Sequence, residues 1–375
     1  MSSKIQVVFG VNDFLVGGMQ HHFTEQLRFY DRERYDIILI TLFTFPGEDT
    51  LYHALPEWLV RHRFSFRGFL DIASWIALYR LLRTLRPDVV VSSLFFSNTV
   101  FRALAPFIGY ACVPREHNTY VDKSFWERLT DRILAARSYR IVAVSPTVAD
   151  FTAHQERIPR EKFVVIENGI DLEHLDTELR ALPEKTALRR ELGFSPDDFI
   201  IVNVARLVPQ KNHELLIDGF ARFYEKTPSA RLLVVGGGPL MDALAARARE
   251  HGLADRVTFY GTQHDVAKYY KASDVFALTS HIEGFAIVCI EAMACGLPVV
   301  STKTAGPDTY IEEGVNGFFI APPTSEAVAA ALTRVYTGRR DSLADGARAT
   351  APRFDVRAVV AQYEKLFSEA AASRV

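Results

Sequence analysis

Short apolar runs rich in β-branched residues recur along this 375-residue chain, and helical periodicity follows nearly every one. IQVVFGV (5–11) leads into GGMQHHFTEQLRFY, and YDIILIT (35–41) is a second such run. RPDVVVSS (86–93) follows the helical WIALYRLLRTLR, SYRIVAVS (138–145) follows FWERLTDRILAAR, and KFVVIENGID (162–171) closes the set. Strands with one wet face alternate apolar and polar residues. These runs are nearly continuous, as expected of a parallel sheet covered on both faces.

The pattern then starts afresh. DDFIIVNVARL (197–207) precedes HELLIDGFARFYEK, and ARLLVVGGG (230–238) precedes LMDALAARAREHG; RVTFYGT, SDVFALTS and LPVVSTK follow. Two successive sets of βα units predict an α/β chain folded as two doubly wound, Rossmann-like domains facing one another. NGIDLEHLDTELRALPEK, polar and rich in turn signals, marks the boundary. Domains over 1–168 and 169–350 are therefore expected, with ligands held where strands end.

Bulk properties narrow the function. A net charge of −2 argues against a nucleic-acid protein recognised by basicity. Cys112, Cys289 and Cys295 form no CxxC and cannot all pair, which predicts a reducing, cytoplasmic setting. The apolar run in MSSKIQVVFGVN is too short for a signal peptide, and no run reaches the roughly 18 residues of a spanning helix.

SHIEGFAIVCIEAMACGLPVVS (280–301) holds two acids, Glu283 and Glu291, in an apolar stretch, and an unpartnered buried carboxylate is costly. The stretch reads as strand Asp274–Ser280, loop His281–Phe285 and helix Ala286–Cys295, ended by Gly296. Glu283 then lies in the strand-to-helix loop, and the amides of Gly284, Phe285 and Ala286 become free donors of a helix start. Eight helical residues advance roughly 12 Å, so the two acids can grip separate parts of one elongated ligand with an anion between them. Local capping or pairing is the competing reading for each acid. In IIVNVARLVPQKNHELL, Arg206 ends a strand and Lys211 follows five residues later, before a helix that Asn212 is placed to cap. Two cations at a strand's carboxyl edge suit a diphosphate.

Arg206-x4-Lys211, Glu283-x7-Glu291, NGID (168–171) and GGGP (236–239), in this order, resemble the retaining glycosyltransferases of the GT4 type, glycosyl transferases group 1, with the GT-B fold. The resemblance implies that Glu283 hydrogen-bonds the donor sugar, that Glu291 holds the nucleotide ribose, and that Arg206 and Lys211 bind the diphosphate. It implies donor-binding amides at Gly284, Phe285 and Ala286, and a glycine pair, Gly17 and Gly18, near the phosphates; a plain tight turn competes for that pair. His117 in PREHNTY falls where the family places a cleft histidine beside the reacting sugar, with Glu116 and Asn118 as weaker neighbours. A structural role for this histidine stays open. The resemblance also implies that the final helix, within 351–375, crosses back to the first domain. GGGP has Gly237 where relatives carry an acid, and Asp308 in AGPD is left without a role.

No acid cluster has metal spacing and no DxD occurs, so charge neutralisation by Arg206 and Lys211 without metal or other cofactor is expected. Residues 61–86 are basic and aromatic. They form either a surface helix packing Leu78, Leu81, Leu82 and Leu85 on the sheet, or a helix resting on the inner membrane face. The expected activity is transfer of a sugar from a nucleotide diphosphate, UDP before GDP and an N-acetylhexosamine first, to a hydroxyl of a glycan or lipid-linked acceptor in polysaccharide or glycoconjugate synthesis. A nucleotide-sugar epimerase or hydrolase of the same fold, and a non-catalytic two-domain binding protein, are the alternatives. A NAD enzyme lacks its GxGxxG.

Overall fold

The computed structural model describes residues 4–14, 18–45, 52 and 55–373. The chain divides into two compact units, one of Met1–Gly169 with Val356–Val375 and one of Ile170–Asp355.

The first unit is built on a seven-stranded sheet of order β3-β2-β1-β4-β5-β6-β7. Its strands are β1 (Ile5–Val11), β2 (Tyr35–Thr41), β3 (Val60–Arg63), β4 (Val89–Ser93), β5 (Ala111–Glu116), β6 (Ile141–Ala143) and β7 (Phe163–Val165), every neighbour parallel. Side chains alternate between sheet faces, and both faces are packed. Val7, Phe9 and Val91 meet Phe23 of helix Gly18–Gln26, Leu27 just after it, and Val359, Tyr363 and Phe367 of helix Val356–Ala372. Val8, Ile38 and Val90 meet Leu78 and Leu82 of helix Ile72–Leu85 and Phe101 of helix Phe95–Ile108. Burial on both sides is why these strands read as unbroken apolar runs. The final helix supplies part of this core: the Tyr35 hydroxyl donates to the Glu364 carbonyl at 2.8 Å.

The second unit carries a six-stranded, all-parallel sheet of order β10-β9-β8-β11-β12-β13. Here β8 is Phe199–Val204, β9 Ala230–Val235, β10 Val257–Phe259, β11 Val275–Leu278, β12 Val299–Thr302 and β13 Gly317–Ile320. Phe199, Ile201, Leu232 and Val300 pack against Leu216 and Phe220 of helix His213–Tyr224 and Val328 and Leu332 of helix Ser325–Thr337. Both sheets follow the doubly wound pattern.

Strands β3, β5 and β13 escape the sequence reading. VRHR in β3 has no apolar run, and an edge strand tolerates its charges because one side faces no neighbour. In the helix within 61–86, Leu78 and Leu82 are buried, whereas Arg80, Arg83 and Arg86 are exposed. The packing role predicted for this helix is therefore observed.

Candidate active site

In the second unit the chain reverses its direction of winding between β8 and β11, which are neighbours in register from Val275 opposite Ile201. Connections leaving two such strands diverge to opposite faces and open a crevice at their carboxyl ends. The connection after β8 holds Arg206 and Lys211; the one after β11 holds Glu283.

Backbone packing fixes the first connection. Gly236 has a φ of +143, and a Cβ on it would lie 1.9 Å from the Ala205 carbonyl oxygen, so only glycine lets the two chains touch. The Gly236 amide donates to the Gly261 carbonyl at 2.8 Å and the Gly237 carbonyl accepts from Leu207 at 2.9 Å. GGGP thus supports the Arg206 loop. Leu207 is buried beside Arg206, whose exposed guanidinium has no hydrogen-bond or ion-pair partner among the described residues.

Lys211 closes a 3-10 turn, Pro209–Lys211, ahead of helix His213–Tyr224. Asn212 does not cap that helix through its side chain. It is left-handed at φ 47, a conformation Asn tolerates, and its carbonyl accepts from the Thr279 hydroxyl at 2.8 Å. His213 Nε2 meets Asn203 Oδ1 at 2.9 Å, and Asn203 donates to the Ala277 carbonyl at 2.7 Å, which ties β8 to β11. Burial, assisted by the Lys211 charge, lowers the His213 pKa to about 4, so this link stays neutral.

The two connections are laced together. His281 donates its amide to the Gln210 carbonyl at 2.9 Å, and Gln210 Nε2 donates to the Ile282 carbonyl at 2.8 Å. Glu283 Oε1 consequently accepts from Lys211 Nζ at 2.5 Å and from the Ser280 hydroxyl at 2.6 Å. Ala286, left-handed at φ 60, turns the chain into helix Ile287–Ala294. Such a conformation costs of order 1–3 kcal/mol in a non-glycine residue. Tyr310 braces it, its hydroxyl shared between the carbonyls of Phe285 at 2.8 Å and Ala286 at 3.2 Å. The amides of Gly284, Phe285 and Ala286 donate to no acceptor among the described residues. With the helix behind them they form a patch of positive potential.

Further along that helix, Glu291 Oε2 accepts from the buried Tyr270 hydroxyl at 2.8 Å. Burial and the adjacent Glu291 charge push the tyrosine pKa far up, keeping the hydroxyl a donor. Both acids therefore have protein partners: Lys211 and Ser280 for one, Tyr270 for the other. Local pairing, the competing reading for each acid, is present in the fold. Ser280, Tyr270 and Tyr310 were not foreseen, because their contacts depend on the fold and leave no local motif. Asp308, left unassigned, pairs with Lys303 at 3.1 Å.

In the first unit the reversal falls between β1 and β4. Asn12 Oδ1, just past β1, accepts from the Ser97 amide at 3.0 Å and hydroxyl at 2.7 Å. His117 follows β5 directly, its Nε2 3.1 Å from the Ser93 hydroxyl at the end of β4. Burial, then the charges of Arg115 and His22, hold the His117 pKa well below its usual value, so the ring is neutral near pH 7. Gly18 opens helix Gly18–Gln26; Gly17 lies outside the described residues.

Glu116 turns the other way, into a buried ionic cluster. Lys123 Nζ lies 2.9 Å from Asp131, 2.5 Å from Glu156 and 3.6 Å from Glu116, and Arg102 pairs with Asp131. That cluster anchors the connection following His117. Asn118 accepts from the next amide, Thr119, at 2.9 Å, a local turn.

Two family models match the chain. Glycosyltransferase Family 4 covers residues 16–174 and Glycosyl transferases group 1 covers residues 184–350, the latter spanning every cation and acid of the β8/β11 crevice. The chain belongs to the GT4-type glycosyltransferases. The D-inositol 3-phosphate glycosyltransferase of Segniliparus rotundus is 34% identical over 208 residues, 53% of this GT4 chain and 45% of the relative. Such matches span about half the length of the first curated relatives. The UDP-Gal:alpha-D-GlcNAc-diphosphoundecaprenol alpha-1,3-galactosyltransferase of Escherichia coli is 26% identical over 344 residues, 89% of this chain and 88% of that one. Among solved structures, Anabaena HepE in complex with UDP superposes with a TM-score of 0.84 at 23% identity, over 97% of this chain and 100% of that chain. The GT4 chain thus has the GT-B fold of two Rossmann-like domains.

Proposed function

We propose that the protein is a retaining glycosyltransferase that moves a sugar from a UDP-linked donor, an N-acetylhexosamine being the first candidate, to a hydroxyl of a glycan or lipid-linked acceptor. The observation that carries this reading is the Lys211–Glu283 pair at the β8/β11 reversal, beside unsatisfied amides and an unpartnered arginine. Arg206 and Lys211 meet the diphosphate and stabilise the charge that grows on it as the bond to the sugar breaks. The amides of Gly284, Phe285 and Ala286 add donors that need no reorganisation. Glu283, oriented by Lys211 and Ser280, receives hydroxyls of the sugar; Glu291, oriented by Tyr270, receives those of the ribose. Neutral His117 acts on the acceptor side as a hydrogen-bonding group. No side chain is assigned as nucleophile. UDP is preferred because HepE was solved with it and the Escherichia coli relative is named for a UDP-sugar.

Exposed apolar side chains favour a lipid-linked acceptor and peripheral contact with an inner membrane face. Leu70 is 92% exposed and Ile72 64% in the connection after β3, and Phe125 and Trp126 are 62% and 72% exposed after β5, the strand that His117 follows. Among the described residues no helix is long and apolar enough to cross a membrane.

A panel of UDP- and GDP-sugars, incubated with glycan and polyprenyl-diphosphate acceptors, tests the reading. UDP release that depends on acceptor, with the donor's anomeric configuration kept in the product by NMR, is expected. Release without acceptor would mark a hydrolase, and an inverted product would refute retention.

A further inference from the structure

At the opposite edge of the second sheet, where β11 and β12 begin, the surface holds a groove of about 970 Å³. Ser273 and Asp274 precede β11 and Leu297 and Pro298 precede β12, so the groove is separate from the connections that carry Arg206, Lys211 and Glu283. Its lining includes six cations, Arg180, Lys185, Lys271, Arg339, Arg340 and Arg348, against three acids, Glu184, Asp274 and Asp341.

The cations are not equally free. Lys271 Nζ donates to the carbonyls of Leu179 at 2.7 Å and Leu182 at 3.0 Å, and Lys185 pairs with Asp274 at 2.9 Å. These two hold the walls together. Arg180 pairs with Asp176 at 2.6 Å and Arg348 with Asp345 at 3.0 Å, both within their own exposed helical turns, where pairing is weak. Arg348 also lies flat over Gly296, where a Cβ would meet its Nε at 2.7 Å, so the glycine admits the guanidinium to the wall. Arg339 and Arg340 have no ion-pair partner among the described residues, and the Arg340 guanidinium stands 5.9 Å from the centre of the Phe199 ring. Arg339 stands at the N-cap and Arg340 at the first position of helix Arg340–Thr350.

We propose that this groove is a second binding site of the protein, taking a small soluble molecule that carries a phosphate or diphosphate group. Arg339, Arg340 and Arg348 hold the phosphate oxygens, for which a planar guanidinium offers paired donors. The volume admits a ligand of nucleotide or sugar-phosphate size, and the charged walls suit a polar molecule better than an acyl chain. Tyr270 lines the groove and donates its hydroxyl to Glu291, so one side chain joins the groove to an acid of the donor site. The site itself stands on the groove's own residues, whatever the donor proves to be.

Titration calorimetry with inorganic pyrophosphate tests it. Arg206→Ala/Lys211→Ala removes the donor-side cations, and this variant is expected to keep one pyrophosphate site. Adding Arg339→Glu and Arg340→Glu should weaken that site at least tenfold. Because Arg340 rests on Phe199, Arg339→Gln/Arg348→Gln in the same background is a second arm, again with at least a tenfold loss and an unchanged melting temperature. Absence of binding in Arg206→Ala/Lys211→Ala, or an affinity indifferent to both sets of groove substitutions, would overturn the proposal. A third arm uses phosphatidylglycerol vesicles: flotation that needs Arg339 in a protein that ignores pyrophosphate would assign the cations to lipid headgroups and refute a soluble ligand.

Discussion

Glu291 and Tyr270 are 21 residues apart, and the hydroxyl of one meets the carboxylate of the other at 2.8 Å. A hydrogen bond to a charged group is worth about 1.5–3 kcal/mol. Tyr270→Phe is therefore expected to lower unfolding stability by that order in urea titrations and to weaken UDP binding, with kcat little changed. An unaltered UDP affinity would detach Tyr270 from the donor site. His117 makes a pH-dependent claim. Its pKa is lowered in the folded protein, so its contribution to stability is present above the ordinary histidine value of about 6.5 and is lost as pH falls below it, because the unfolded chain binds the proton more readily. Melting temperature should drop below that pH, and His117→Asn should flatten the slope. Arg206, Lys211, Glu283 and Glu291 were legible in the sequence because each sits at a fixed offset from a strand end. Tyr270, Ser280 and Tyr310 were not, since nothing near them in the chain announces their partners.

At the scale of elements, the strand-to-helix connection after β11 depends on close backbone contact. A Cβ on Gly306 would fall 2.2 Å from the Phe285 carbonyl oxygen, whose loop also carries the free amides. Gly306→Ala must displace that loop, and overpacking of this kind costs about 1–3 kcal/mol. The expected result is weaker UDP binding by calorimetry with a folded protein; unchanged binding would mean that the amides take no part. In the first unit, Lys123 ties Asp131, Glu156 and Glu116 together beneath the connection after β5. Removing one partner of a buried ion pair costs about 3–5 kcal/mol, which is the loss expected in urea for Lys123→Met. Strands buried on both faces could be read from their unbroken apolar runs. β3 (VRHR) and β5 (ACVPRE) could not, because charges or a proline interrupt the run, and β13 (GFFI) could not, because its run is only three residues long. Asn212 failed as a cap for a physical reason: its backbone is left-handed, whereas a capping side chain reaches the helix amides from an extended backbone.

Over the whole molecule, two parallel sheets each reverse their winding once, at β1/β4 and at β8/β11, and the candidate residues follow strands at or beside those reversals. That arrangement was legible because βα units repeat with a break in the middle of the chain. The return of helix Val356–Ala372 to the first core came from family resemblance, since nothing in its own periodicity names the sheet it covers.

Steady-state turnover of Lys211→Ala on the preferred UDP-sugar, with UDP affinity measured alongside, is the most direct test of what the β8/β11 crevice does. If Lys211 offsets charge on the departing diphosphate, kcat should fall by about 10²–10³, the range seen when one such electrostatic contact is removed, while the protein remains folded. A variant that turns over near the wild-type rate would contradict the account.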